Sequence, residues 1–113
     1  MNHTCSHCVV HCMDFRIQKT VDNLLADLGI VKGSFDRVSV AGGAANFEQL
    51  ETHLTLSKKL HNPSIFILTI HEDCGADAKL EDLDNARRLI KNSCPECEIR
   101  TFFVRLDGGW EEK

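Results

Sequence analysis

The sequence lacks a basic stripe, a long hydrophobic run and any low-complexity segment, and each absence removes a class of function. A net charge of −4 with scattered lysines and arginines leaves no electrostatic footprint for nucleic acid. The longest apolar run, Ile65 to Ile70, is six residues, against the roughly 20 a membrane-spanning helix needs. The opening stretch MNHTCSHC carries no apolar signal region, so a cytoplasmic protein is expected. Neither GxGxxG nor a phosphate-binding P-loop occurs. With no repeat and no linker, a single domain over residues 1–113 is the expectation.

What is abundant is cysteine and histidine, six of each in 113 residues, with His3, His7 and His11 all before residue 12. A secreted miniprotein would use such cysteines for disulfides. Long helical and strand patterns without a signal segment point instead to metal or redox chemistry.

Hydrophobic spacing divides the chain into alternating elements. Residues 1–7 are polar and are expected to fray, and Cys8 to Cys12 reads as a short buried strand. Ile17, Val21, Leu24, Leu25 and Leu28 recur at helical spacing, with Gly29 as the stop. Phe35 to Val40 reads as a strand, and Asn46 with Gln49 forms a capping-box pattern ahead of a helix carrying Phe47, Leu50, Leu54 and Leu60. Ile65 to Ile70 is a strand covered on both faces. A helix marked by Leu80, Leu83, Ala86 and Ile90 follows, with Asp77 as candidate cap, and Ile99 to Leu106 is a last strand before the Trp110 tail. This βαβαβαβ order predicts a three-layer α/β domain with a four-stranded parallel sheet in the order 2-1-3-4. In that order the winding reverses between the first and third strands, and ligands sit outside the carboxyl ends of strands at such a point.

Cys12 falls at the carboxyl end of the first strand, and His71 and Cys74 fall just past the end of the third. Two thiols and an imidazole suit zinc and leave a fourth position open. The pattern Cys12-x-Asp14-x-Arg16, followed by His71-x-x-Cys74-Gly75, resembles the β-class carbonic anhydrases. The resemblance is specific in the blocks Val9–Arg16 and Ile65–Gly75, and looser at Val40-Ala41-Gly42-Gly43 and Val104–Gly108. It implies a zinc ion on Cys12, His71 and Cys74, with bound water brought to a pKa of about 7 for reversible hydration of carbon dioxide to bicarbonate. It also implies an Asp14–Arg16 dyad, Asp14 orienting the water and Arg16 holding Asp14, and a homodimer or higher oligomer with the pocket at the interface. In some members the aspartate instead takes the fourth zinc position. A chain that starts so close to its first strand is expected to do without the family's N-terminal arm and bicarbonate-binding glutamine, and Ser39-Val40 stands where Arg-Asn is usual. Hydrolysis of COS or CS₂ is the near rival, and a non-enzymatic zinc or thiol-redox module the distant one.

Two further groups carry expectations. Cys5-x-x-Cys8 and Cys94-x-x-Cys97 together suggest a four-cysteine structural zinc, against redox pairs, disulfides or free thiols. Gly42 and Gly43 precede a helix and are candidates to present backbone N–H groups to an anion, against a tight turn under close packing.

Overall fold

The computed structural model describes residues 3–113. The polar start at Met1 and Asn2 lies outside them. From Cys5 on the segment is tied down rather than frayed: Cys5 N–H donates to the His61 carbonyl at 3.1 Å, and the Ser6 carbonyl accepts from Ile65 N–H at 3.2 Å.

Five strands and three α-helices follow in chain order. Strand β1 is His7–Cys12, α1 Gln18–Asp27, β2 Phe35–Val40, α2 Phe47–His61, β3 Ile65–His71, α3 Glu81–Ser93, β4 Glu98–Val104 and β5 Trp110–Glu112. Short 3₁₀ turns at Phe15–Ile17 and Gly43–Ala45 lead into α1 and α2. The sheet order is β2-β1-β3-β4-β5, with the first four strands parallel and β5 antiparallel to β4. The expected 2-1-3-4 core is present. The addition is β5, where the sequence suggests only a tail: Asp107-Gly108-Gly109 turns the chain and Trp110 pairs with Val104.

Strand alternation sends side chains to two cores. Val10, Phe66, Leu68 and Ile70 face α2 and α3, packing on Leu50, Leu54, Leu83, Ala86 and Ile90. Val9, Ile67, Phe102 and Val104 face α1, packing on Ile17, Val21, Leu24 and Leu25. The sheet is therefore the middle of three layers. Each such side chain fully removed from water contributes about 1.5–3 kcal/mol, so β1 and β3, packed on both faces, hold the fold together.

Local signals set the helix starts. The Asn46 side chain caps α2 by accepting from Gln49 N–H at 3.3 Å. Asp77 does not cap α3: it sits at φ 60° in the preceding loop, and the Asp82 carboxylate takes Lys79 N–H at 2.8 Å instead. Phe47 is half-exposed and Leu60 exposed, because the buried stripe of α2 runs through Leu50, Leu54 and Ser57. No helix among the described residues is long and apolar enough to cross a membrane.

Candidate metal centre at the strand ends

The parallel register places the carboxyl ends of β1, β2 and β3 side by side, and backbone bonds extend that alignment into the loops. Met13 N–H donates to the Val40 carbonyl at 3.1 Å, and Glu72 N–H to the Val104 carbonyl at 2.9 Å. Cys12 ends β1 and His71 ends β3, both buried; Cys74 follows in the next turn and is half-buried. Their ligand atoms all lie within 4.8 Å of one another.

The imidazole is oriented for a cation. His71 Nδ1 donates to the Glu72 carbonyl at 2.7 Å, which fixes the tautomer and leaves the Nε2 lone pair pointing inward. Nε2 is the buried side-chain nitrogen without a hydrogen-bond partner among the described residues. An orphaned polar atom of this kind costs about 1–3 kcal/mol unless something engages it. Two soft sulfurs and this nitrogen are a donor set that fits zinc.

Asp14 stands beside the cluster, its Oδ2 at 3.8 Å from His71 Nε2. Its carboxylate caps the Phe15–Ile17 turn by accepting Arg16 N–H at 2.9 Å, and it takes Arg16 Nη2 at 2.7 Å and Nε at 3.1 Å. The Arg16 side-chain and backbone hydrogen bonds, with smaller charge effects, hold the Asp14 pKa down at about 2. Arg16 also reaches the loop that carries His71 and Cys74, donating to Asp73 Oδ2 at 3.1 Å and to the Asp73 carbonyl at 3.0 Å. One guanidinium thus ties the Cys12 loop to the His71–Cys74 loop, a use of its planar fork that a lysine does not offer.

Asp73 and Gln18 are contributors that sequence reasoning passed over. Asp73 sits at φ 54°, a left-handed position that Asp tolerates better than most residues. Gln18 Nε2 donates to the Cys12 carbonyl at 3.1 Å and the Asp14 carbonyl at 2.8 Å, fixing the loop between Cys12 and the Asp14–Arg16 pair. The only available signal was position: Asp73 inside the His71–Cys74 block, Gln18 at the first turn of α1.

Gly42 and Gly43 lie under the same loops. The Gly42 N–H is directed at Cys12 Sγ at 3.4 Å, so that donor serves the thiol rather than a free anion. Gly43 packs against the ends of β1 and β3. The close-packed turn is the arrangement seen.

The four-cysteine grouping does not form. Cys94 and Cys97 are joined to each other as a disulfide at the end of α3, while Cys5 and Cys8 are free thiols before and within β1. β3 separates the two pairs in the sheet, and Cys8 is buried in the α2/α3 core, where burial pushes its thiol up to about 12.

A shallow cleft of about 600 Å³ opens above the centre, lined by Cys12, Met13, Asp14, Phe15, Arg16, Ala41, Gly75 and Ala76. The molecule is thus an α/β domain with a cysteine–histidine centre at the switch point of its sheet. The chain belongs to the family described as "Putative carbonic anhydrase", whose model matches residues 2–112. An uncharacterized protein of Rickettsia bellii is 29% identical over 130 residues, spanning 92% of this chain and 79% of its own length. Among solved structures, the carbonic anhydrase of Streptococcus mutans superposes with a TM-score of 0.73 at 20% identity, covering 98% of this chain and 82% of that one. The carbonic anhydrase from Glaciozyma antarctica gives 0.75 at 18% identity, with 99% and 83% covered. A carbon disulfide hydrolase gives 0.67 at 13% identity, with 95% and 77% covered. At these identities the structural likenesses establish the fold.

The dyad carries a prediction of its own. The depressed Asp14 pKa stabilises the folded protein fully above the unfolded value of about 3.9. That contribution is lost as pH falls toward about 2. In Arg16→Met the Asp14 titration, followed by NMR of its carboxyl carbon, is expected to rise from about 2 toward ~3.9, and the acid loss of stability assigned to Asp14 disappears. An unchanged titration in the variant contradicts the assignment.

Proposed function

We propose that this protein catalyses the zinc-dependent, reversible hydration of carbon dioxide to bicarbonate, with Cys12, His71 and Cys74 as the metal ligands. The observation that carries the reading is the buried, unpartnered Nε2 of His71, facing two thiols with an ionised Asp14 at its side. Zinc held there supplies a Lewis acid that makes water a nucleophile at neutral pH.

The chain's own residues do the rest. Asp14, kept ionised by Arg16, accepts a hydrogen bond from the attacking water and so directs its lone pair toward the substrate. Arg16 keeps Asp14 from turning away, since Nε and Nη2 grip both carboxylate oxygens and Asp73 anchors the opposite edge of the guanidinium. Met13, Phe15, Ala41 and Ala76 give the cleft an apolar wall, suited to an uncharged linear substrate. The proton released on hydration leaves to solvent through the open mouth.

That same wall favours a second reading, hydrolysis of COS or CS₂, because an apolar surface does not separate oxygen from sulfur at the ends of a linear electrophile. A homo-oligomer belongs to the proposal as well: Phe15 is 85% exposed and Met13 64% exposed beside the cleft, an apolar face of the kind a second copy covers. Location in the cytoplasm remains part of it too.

Stopped-flow measurement on zinc-loaded protein tests the activity. A zinc-dependent rate of carbon dioxide hydration is expected. Metal bound with no rate above buffer removes the hydratase, and sulfide release from COS or CS₂ in that sample moves the activity to the second reading.

A further inference from the structure

At the opposite end of the sheet a second set of donor atoms converges. Cys5 precedes β1, Asp36 is the second residue of β2, and His61 is the last residue of α2. Their ligand atoms all lie within 4.8 Å of one another, as those of Cys12, His71 and Cys74 do. A fourth donor stands close by, since the His3 and His61 rings are 4.8 Å apart between centroids. We propose that Cys5, Asp36 and His61, completed by His3, hold a structural zinc ion that fastens the amino-terminal segment to the end of α2.

The cluster is held in place before any ion arrives. Cys5 N–H donates to the His61 carbonyl at 3.1 Å, which locks the thiol-bearing residue to the helix end. The Asp36 carboxylate accepts Ser57 Oγ at 2.6 Å and His61 Nδ1 at 2.7 Å. The second contact holds the His61 ring against the Asp36 carboxylate as neighbouring donors of one cluster. Asn62, at φ 49°, ends α2 immediately after His61, so the site lies at the negative end of the helix dipole, where a cation is favoured.

A simple Asp–His ion pair accounts for two of these residues. It requires neither a second imidazole nor a thiol in reach, and the Cys5 thiol donates only to the His7 carbonyl at 3.3 Å. One sulfur, one carboxylate and two imidazoles make a zinc-type donor set. Asp36 and His61 are about three-quarters shielded, with 28% and 27% of their side chains exposed, so an ion can enter without the fold opening.

This centre is independent of the proposed catalytic one. Cys5 and Cys12 are seven positions apart in largely extended chain, which separates the two sites by roughly 20 Å. The grouping also uses the Cys5 thiol that the four-cysteine arrangement would have claimed.

Cobalt(II) is the probe, because a thiolate ligand gives it a near-ultraviolet charge-transfer band and zinc displaces it. Bound cobalt per chain is measured for the wild type, Cys5→Ser, His61→Ala and Cys12→Ser, with far-UV circular dichroism confirming that each is folded. One equivalent is expected to be lost in Cys5→Ser and again in His61→Ala. Cys12→Ser is expected to keep that equivalent while losing the other. Failure of the catalytic centre to bind metal shows as wild type and Cys12→Ser taking up the same single equivalent, and leaves this inference standing. Equal cobalt uptake by wild type, Cys5→Ser and His61→Ala overturns it, and if one of the two variants does not fold the other decides alone.

Discussion

His71→Ala is expected to lose one zinc equivalent per chain and with it all carbon dioxide hydration above buffer. The imidazole is 2% exposed, and Nε2 has no partner within the described fold. It is therefore a group whose position is difficult to justify by stability alone. Zinc held by four protein ligands gains about 10–16 kcal/mol, so one ligand of the set accounts for about 3 kcal/mol, or roughly 100-fold in affinity.

The stability of the variant separates the ligand reading from a packing one. In metal-free protein, removing His71 sacrifices packing contacts but also removes an unsatisfied nitrogen, two effects of opposite sign and each about 1–3 kcal/mol. Little net change in the urea midpoint is the expected result. With zinc present at about 100 times the wild-type dissociation constant, the wild type gains about 2.7 kcal/mol through linkage, and a variant about 100-fold weaker gains only about 0.4 kcal/mol from that site. Metal content measured after dialysis and urea unfolding with and without zinc give both numbers. Full zinc stoichiometry in His71→Ala contradicts the ligand assignment and takes the proposed activity with it.

The features legible in the sequence were those with a period or a fixed local geometry. Val9, Val10 and the run Ile65 to Ile70 announce strands packed on both faces, and the Asn46–Gln49 spacing announces a cap. From these the strand order follows, and from the order the meeting of Cys12, His71 and Cys74 at one end of the sheet. Three residues are too few for a period to show, which is why β5 is absent from the pattern and appears only as Trp110–Glu112 pairing back on β4.

Contacts made by single side chains across the fold were not legible either. Nothing in the spacing marks Asp73 as the far anchor of Arg16, since the pair is 57 residues apart and depends on a left-handed turn. The cysteine pairs show the same limit. Cys94 and Cys97 are three positions apart with Cα atoms at 5.4 Å, so local closure is available to them without chain rearrangement. Joining them to Cys5 and Cys8 would require reaching across the width of β3, about 10 Å. Proximity in sequence decides that competition, and a motif count alone does not reveal it.

Gly43→Ala is expected to damage the protein more than any other one-carbon addition near the centre. A Cβ at this position would fall 2.6 Å from the Thr69 carbonyl oxygen and 2.9 Å from the Cys12 backbone nitrogen. Both are backbone atoms of the two strands that carry Cys12 and His71, so neither can swing aside as a side chain tip would. Gly43 also sits at φ 55°, a conformation that costs an alanine about 1–2 kcal/mol before any clash. Relief requires β1 and β3 to move away from the turn, and β3 is held there by Thr69 Oγ1 donating to the Val10 carbonyl at 2.9 Å. A loss of about 3–5 kcal/mol follows, the range of a core backbone disruption, read as a lower urea midpoint at constant slope. Gly42→Ala provides the contrast. It has the same left-handed strain at φ 86°, but its nearest neighbour would be the Ala76 Cβ at an ordinary 3.5 Å, so the cost is expected to stop at the conformational term. A Gly43→Ala protein as stable as Gly42→Ala would mean that the strand ends are not seated on this turn. The route by which the fold brings Cys12 and His71 together would then have to be sought elsewhere.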